Sequence, residues 1–392
     1  VAAYMPLPIS AACPFPSFGI SKAIATLLFP ELAPNKSIAE SDFYGIGYKP
    51  GDGSDGDRYV TQFSDLVKTN KLSEALKMAQ GFKDQSIKTR ALLDIAKTYR
   101  ESGDIDLAFG IIKGMTITPD TQNPGLEQRI KSDRDYELSQ IAEAYIQSGK
   151  LATALQVAAL TEVSSRYGVL SKIASKYREA GQSAQATELV TQALAAYRSA
   201  EKLEPSTAQL KFLTLSGFAT QYAALGQNKP SVEMASEALD LAKTISQPSL
   251  FTLIFLSQNV QIYKGAQRRD PKVTATLESV LQSVQKAQEP FYKALVFAKV
   301  ADMYTTLGQK QRSLQLLSQA MNLTKPQQEA AEKNIALIEL ARTYGVIGQY
   351  DKALQTTHAI EPSNLQTQVQ QSLTCSQQKG GEGSVLDLLQ GR

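Results

Sequence analysis

Three places in this 392-residue chain bring together residue types that can do chemistry. Gly51-Asp52-Gly53-Ser54-Asp55-Gly56 spells a glycine pattern that cradles a pyrophosphate when it joins a strand to a helix N-terminus. No strand-like run precedes it here, and Asp52, Asp55 and Asp57 would repel the phosphates. The same aspartates suit a hard cation. Their spacing departs from the alternating pattern of calcium loops, though, and Phe63 stands where the bidentate glutamate belongs. The segment reads as a solvated linker. His358 is the sole histidine, and no Ser, Cys or carboxylate is placed by sequence as its nucleophilic partner, so it reads as structural. Two cysteines, Cys13 and Cys375, are too few for a disulfide framework or, with one His, for a zinc site. A bridge between them would join two regions that both read as loose. The expectation is no catalytic residue, no metal and no cofactor.

Composition narrows the classes further. Lys and Arg number 41 against 38 Asp and Glu, a formal charge of +3, too balanced to advertise a nucleic-acid or membrane surface. Gly (24) and Pro (16) near average usage exclude collagen-like and low-complexity chains. The absence of Trp weakens a sugar-stacking surface. No run reaches the ~18–20 apolar residues that span a bilayer. The best candidate, Ala23 to Phe29, stops at Pro30.

What must position any surface is a repeat. Tyr99, Tyr145, Tyr177, Tyr222, Tyr304 and Tyr344 each follow an alanine by three: Ala96, Ala142, Ala174, Ala219, Ala301 and Ala341. Four after each tyrosine stands a glycine: Gly103, Gly149, Gly181, Gly226, Gly308 and Gly348. Five beyond each glycine is a small residue: Ala108, Ala154, Ala186, Ser231, Ser313 and Ala353. Seven before the tyrosine are Leu92, Leu138, Leu170, Leu215, Phe297 and Leu337, and four before it Ile95, Ile141, Ile173, Phe218, Val300 and Leu340. Offsets of −7, −4, −3 and 0 share one helix face. The alanine removes bulk so that a second helix can approach, and the glycine can take the left-handed conformation that ends a helix. Each unit is then a helix–turn–helix hairpin that completes its core only by stacking on neighbours.

This pattern resembles the tetratricopeptide repeat, whose small–Tyr–Gly–small spacing is met at Ala96/Tyr99/Gly103/Ala108 and in the five other copies. Two weaker units fill the register. One has Phe63, Leu66, Asn70 and Ala75; the other has Leu256, Val260 and Tyr263, with Gly265 early and Lys272 at the small position. Successive tyrosines from Tyr99 stand 46, 32, 45, 41, 41 and 40 residues apart. The family's unit is about 34, so longer second helices or longer loops are expected. The resemblance implies an all-α, right-handed superhelical solenoid of seven to eight antiparallel helix hairpins over residues 56–360. Around it the sequence reads as an irregular Pro/Gly-rich segment, 1–55, a polar capping helix, 361–378, and a flexible tail, 379–392. Thr116 to Asp135 reads as an inserted loop.

The resemblance also implies a concave groove lined by the first helices, at −2 and +1 from each tyrosine. Those positions hold Lys97 and Arg100, Glu143 and Ile146, Ser175 and Arg178, Thr220 and Ala223, Gln261 and Lys264, Asp302 and Thr305, Arg342 and Gly345. Lys97, Arg100, Arg178, Lys264 and Arg342 outnumber Glu143 and Asp302, which suggests a mildly basic groove for an acidic or extended segment. The Lys/Asn clamp that some members use for C-terminal carboxylates is unmatched, because Leu93 and Lys97 occupy its places. The leading expectation is a non-enzymatic protein–protein interaction scaffold, with self-association open and no nucleic acid. The alternatives are a helical-toroid enzyme acting on polysaccharide and a helical-repeat nucleic-acid binder. Ser10-Ala11-Ala12-Cys13 resembles a lipoprotein processing site. A cytoplasmic setting is favoured, with a secreted or Cys13-anchored form as the alternative.

Overall fold

The computed structural model describes residues 51, 53–117, 124–203, 205–246, 248–266, 271–324 and 330–378. Expectations for Cys13, for residues 1–50 and 52 and for the tail beyond 378 lie outside them. The described residues are all-α, with no strand among them. They fall into two units, one ending at Pro205 (the N-unit) and one starting at Ser206 (the C-unit).

In the N-unit the chain runs α1 (Asp55–Arg58), a π-helical stretch (Tyr59–Phe63), α2 (Ser64–Lys68) and α3 (Leu72–Gly81). There follow α4 (Gln85–Glu101), α5 (Ile105–Lys113), α6 (Pro124–Gln147), α7 (Leu151–Leu160), α8 (Val163–Glu179) and α9 (Ser183–Leu203). The C-unit has α10 (Ala208–Ala224), α11 (Asn228–Ala242), α12 (Leu250–Gly265), α13 (Pro271–Gln285), α14 (Pro290–Thr306), α15 (Lys310–Leu323), α16 (Ala330–Val346), α17 (Tyr350–Thr357) and α18 (Ser363–Gln378). First helices end in the repeat tyrosine or just beyond it, and second helices carry the small residue. First helices stack on first helices: α4 on α6 and α6 on α8, then α10 on α12, α12 on α14 and α14 on α16.

The turn glycines explain why each hairpin folds. Gly103, Gly149, Gly181, Gly226, Gly308 and Gly348 all have φ between 71° and 93°. In each copy the next residue's N–H returns to the tyrosine carbonyl, as in Asp104 N to Tyr99 O at 2.8 Å and Gln309 N to Tyr304 O at 2.8 Å. This closes the first helix's C-terminus on its own last turn. The degenerate first copy does the same with Asn70 at φ 57°, where Lys71 N reaches Leu66 O at 2.8 Å. Asn is the non-glycine residue that tolerates this region best.

The small residues are buried where the template places them. Ala96, Ala142, Ala219, Ala301, Ala341, Ala108, Ala154, Ala186, Ser313 and Ala353 are fully buried, and Ala174 and Ser231 nearly so. The closeness of approach is visible in α10/α11, where Ser231 Oγ donates to the carbonyl of Ala219 at 2.8 Å.

Two expectations need correction. Pro124 to Asp135 is helix, the first half of α6, rather than loop: proline is preorganised for a helix's first position, and Ile130 is buried. Asp55 and Asp57 of the supposed linker belong to α1 and hold backbone N–H groups, and Ser54 caps that helix. Ser54 Oγ accepts from Asp57 N, Asp57 Oδ1 accepts from Gly51 N at 2.8 Å, and Asp55 Oδ2 accepts from Lys83 N and Asp84 N. In the Tyr263 copy no small residue restores the contact: Lys272 is half-buried and reaches Asp240 and Ser236 of α11, and fully buried Thr276 donates to the Leu239 carbonyl of α11 at 3.3 Å. One expected source of the excess repeat length is a long second helix: α9 runs from Ser183 to Leu203 and packs Tyr197 edge-on against Tyr167 at 5.4 Å.

Gly181 and Gly110 offer a matched test. Gly181→Ala is expected to cost ~1–2 kcal/mol, since its φ is +75°. Gly110→Ala, in α5 with open space around it, is expected to stabilise by ~0.5–1 kcal/mol. Urea unfolding measures both, and equal effects would contradict the turn assignment.

Candidate partner-binding face

The layer of first helices is knitted by polar pairs between neighbours. In the N-unit, Arg90 Nη1 meets Asp133 Oδ2 at 2.6 Å between α4 and α6. Arg100 forks onto Glu137 with Nε to Oε2 at 2.8 Å and Nη2 to Oε1 at 3.3 Å. Lys172 on α8 pairs with Glu143 on α6. In the C-unit, Thr220 donates to Gln258 between α10 and α12 at 3.2 Å. Between α14 and α16 lies a closed network: Arg342 to Asp302 at 2.8 Å, Arg342 to Glu339 at 2.5 Å and Lys299 to Glu339 at 2.9 Å.

The positions expected to face a partner therefore divide. Arg100, Glu143, Asp302 and Arg342 are engaged along the layer, and Asp302 is buried. Ile146 and Gly345 are buried, Gly345 under Leu373 of α18. Thr305 turns toward its own hairpin partner, with its Oγ1 2.8 Å from Ser313 Oγ. Ser175 Oγ returns to the Ser171 carbonyl. Thr220 is taken by Gln258, Gln261 is half-buried and Ala223 is exposed. Lys97, Arg178 and Lys264 remain exposed, and no ion pair engages them among the described residues. His358, at the C-terminal end of α17, is exposed.

Two features escaped the sequence. The first is Tyr136 on α6, nine before Tyr145, with 61% of its surface exposed and its hydroxyl close enough to influence Arg100. Its only signal was a lone aromatic at a position held elsewhere by Arg90, Gly168, Leu213, Leu295 and Ile335. The second is a latch between hairpins. Tyr145 Oη donates to Asp106 Oδ1 at 2.6 Å, and Tyr304 Oη donates to Glu278 Oε1 at 2.6 Å, each acid lying on the preceding second helix. A cation joins each: Lys150 at 3.3 Å from Asp106, and Arg312 at 2.8 Å from Glu278, with Lys150 also over the Tyr145 ring. Burial, reinforced by the acid beside each, raises both phenols above their ordinary value. The acids sit at different offsets from their tyrosines, so no spacing betrayed them.

Burial opposes ionisation of Glu339, but Arg342 and Lys299 outweigh it and hold the carboxyl down at about 2. Asp302 and Glu339 in turn keep Arg342 firmly charged despite its burial.

Turn, small-residue contact and stacking define a TPR-like, all-α helical repeat fold. No family model and no curated protein matches the chain. It is similar to a structure of nearly identical TPR-like repeats from Podosopora anserina, at 22% identity over 55% of this chain and 98% of that one, with a TM-score of 0.35. It is also similar to the apo form of the quorum sensor NprR from B. thuringiensis, at 13% identity over 84% and 91% of the two chains, TM-score 0.36. A third likeness is to a STAND signal transduction ATPase with a tetratricopeptide repeat sensor from Pyrococcus horikoshii, at 14% identity and TM-score 0.39. It covers 85% of this chain and 53% of that protein. Among the described residues no helix is long and apolar enough to cross a membrane.

A carboxyl held low contributes stability that is complete above its ordinary value near 4.5 and fades as pH falls toward about 2. Glu339→Gln is expected to cost the C-unit ~3 kcal/mol at neutral pH, because two largely buried cations lose their shared partner. The gap from wild type should narrow as pH drops from 4.5 toward 2. Urea unfolding across that range checks this, and a pH-independent gap would contradict it.

Proposed function

We propose that the chain is a non-enzymatic scaffold that holds an acidic, extended segment of a partner protein on the first-helix layer of the N-unit. One observation carries the reading. Most charges of that layer are neutralised by a neighbour, as in Arg90–Asp133, Arg100–Glu137 and Lys172–Glu143, whereas Lys97 and Arg178 are exposed and in no ion pair among the described residues, Lys97 acting only at longer range on Asp94, and Tyr136 of α6 is exposed too. The paired residues set the shape of the surface. The unpaired cations are left to meet a ligand's carboxylates, and the phenol offers a broad, low-entropy contact. An extended segment suits a face built from parallel helices in series, because each hairpin contributes one or two side chains at regular intervals.

Arg100 is excluded as a probe of binding, since reversing its charge would strand the buried Glu137. Lys97→Glu combined with Arg178→Glu leaves the ladder intact. With a fluorescein-labelled Glu/Asp-rich dodecapeptide as ligand, wild type is expected to bind at 50 mM salt, and the double variant about tenfold or more weakly. Both affinities should fall at 0.5 M salt, where exposed charges are screened beyond ~5 Å. Fluorescence anisotropy reads it. Equal binding by the two proteins, or no binding by wild type at low salt, would overturn the reading.

A further inference from the structure

The hairpin α12/α13 keeps buried Leu256 and Tyr263 but breaks the other packing rules that its neighbours keep. Three before Tyr263 stands Val260 in place of alanine. The small position nine after it holds Lys272. Four before it, where other copies have Ile, Phe, Val or Leu, stands Asn259. The consequence is visible in the backbone. α12 and α13 share hardly any close approach, in contrast to the tight pairing of α10 with α11, α14 with α15 and α16 with α17.

Asn259 is fully buried nonetheless. Its Nδ2 donates to Ser216 Oγ on α10 at 2.8 Å, and that hydroxyl donates on to the Phe212 carbonyl at 2.7 Å. Its Oδ1 is buried with no hydrogen-bond partner among the described residues. A buried acceptor without a donor weakens the seat of α12 itself against α10.

Polar ties to its neighbours supplement the apolar packing that α13 lacks on its own side. Lys272 Nζ reaches Asp240 Oδ2 at 2.5 Å and Ser236 Oγ at 2.7 Å on α11. Glu278 is gripped by Arg312 at 2.8 Å and 3.0 Å and by Tyr304 at 2.6 Å, from α15 and α14. The apolar face of α13 (Val273, Leu277, Val280, Leu281, Val284) is buried, so the closed state is packed.

We propose that α13 is a releasable strap. It detaches from the C-unit as one segment while α10–α11 and α14–α15 stay folded. Two features set the energy of this opening below that of the rest of the unit: the missing close approach to α12 and the reliance on charged ties in its place. Its consequence is an adjustable first-helix layer at α12, the helix that presents Gln261 and Lys264. The proposal does not depend on any ligand of the N-unit.

Hydrogen exchange read by mass spectrometry on the full chain tests it. In wild type, α13 amides are expected to exchange about tenfold or more faster than those of α11 and α15. Raising salt from 50 mM to 1 M should widen that difference several-fold, because the exposed Lys272–Asp240 tie is screened. Arg312→Gln should speed α13 exchange several-fold and leave α10 and α11 unchanged, because it removes one grip on Glu278. Protection of α13 equal to that of α11 and α15 at both salts, or an Arg312→Gln protein with α13 exchange unaltered, would overturn the proposal.

Discussion

The fold depends on how closely two helices may approach. An alanine on one helix and a small residue on the next let the backbones of a hairpin come near enough for Ser231 Oγ to bond the Ala219 carbonyl. At that separation the larger side chains at −7 and −4 project past the contact and bury themselves between successive hairpins. Stacking then follows, because no single hairpin covers its own apolar face. The left-handed glycine serves the same constraint: it reverses the chain within a few residues and keeps the two small positions in register.

A second layer of interactions fixes one hairpin against the next. Tyrosines buried for their area also carry a hydroxyl that must be bonded, and Asp106 and Glu278 on the preceding second helices accept from it. On the first-helix side, carboxylates and cations pair between neighbours. These contacts consume most of the charge that sequence alone would assign to a binding surface. What is left over is small: Lys97 and Arg178 with Tyr136 in the N-unit, and Lys264 in the C-unit. Specificity in such a protein lies in the remainder after internal pairing.

The hairpins were legible in the sequence because their determinants are local. Ala174, Tyr177, Gly181 and Ala186 lie within thirteen residues, and each is chosen by backbone geometry or by exclusion of bulk. Asn70 could be read as a glycine substitute for the same reason. The start of α6 was not legible, because Pro119, Pro124 and polar neighbours look alike whether they end a loop or open a helix. The fates of Arg100 and Arg342 were hidden too. Their partners Glu137 and Asp302 are 37 and 40 residues away, at offsets set by insert lengths that vary from copy to copy. A position can be assigned to a face from its offset, but whether its charge is spent depends on what the neighbouring hairpin presents.

Substitution at Ser231 tests the close-approach constraint most directly, because volume and hydrogen bonding can be separated there. Ser231→Ala keeps the small volume and loses one bond, and is expected to cost ~1 kcal/mol in urea unfolding. Ser231→Leu adds bulk at the contact with Ala219 and is expected to cost at least ~2 kcal/mol more than the alanine variant. A leucine variant as stable as the alanine variant would mean that the helices are free to move apart, and the account given for every hairpin would fail with it.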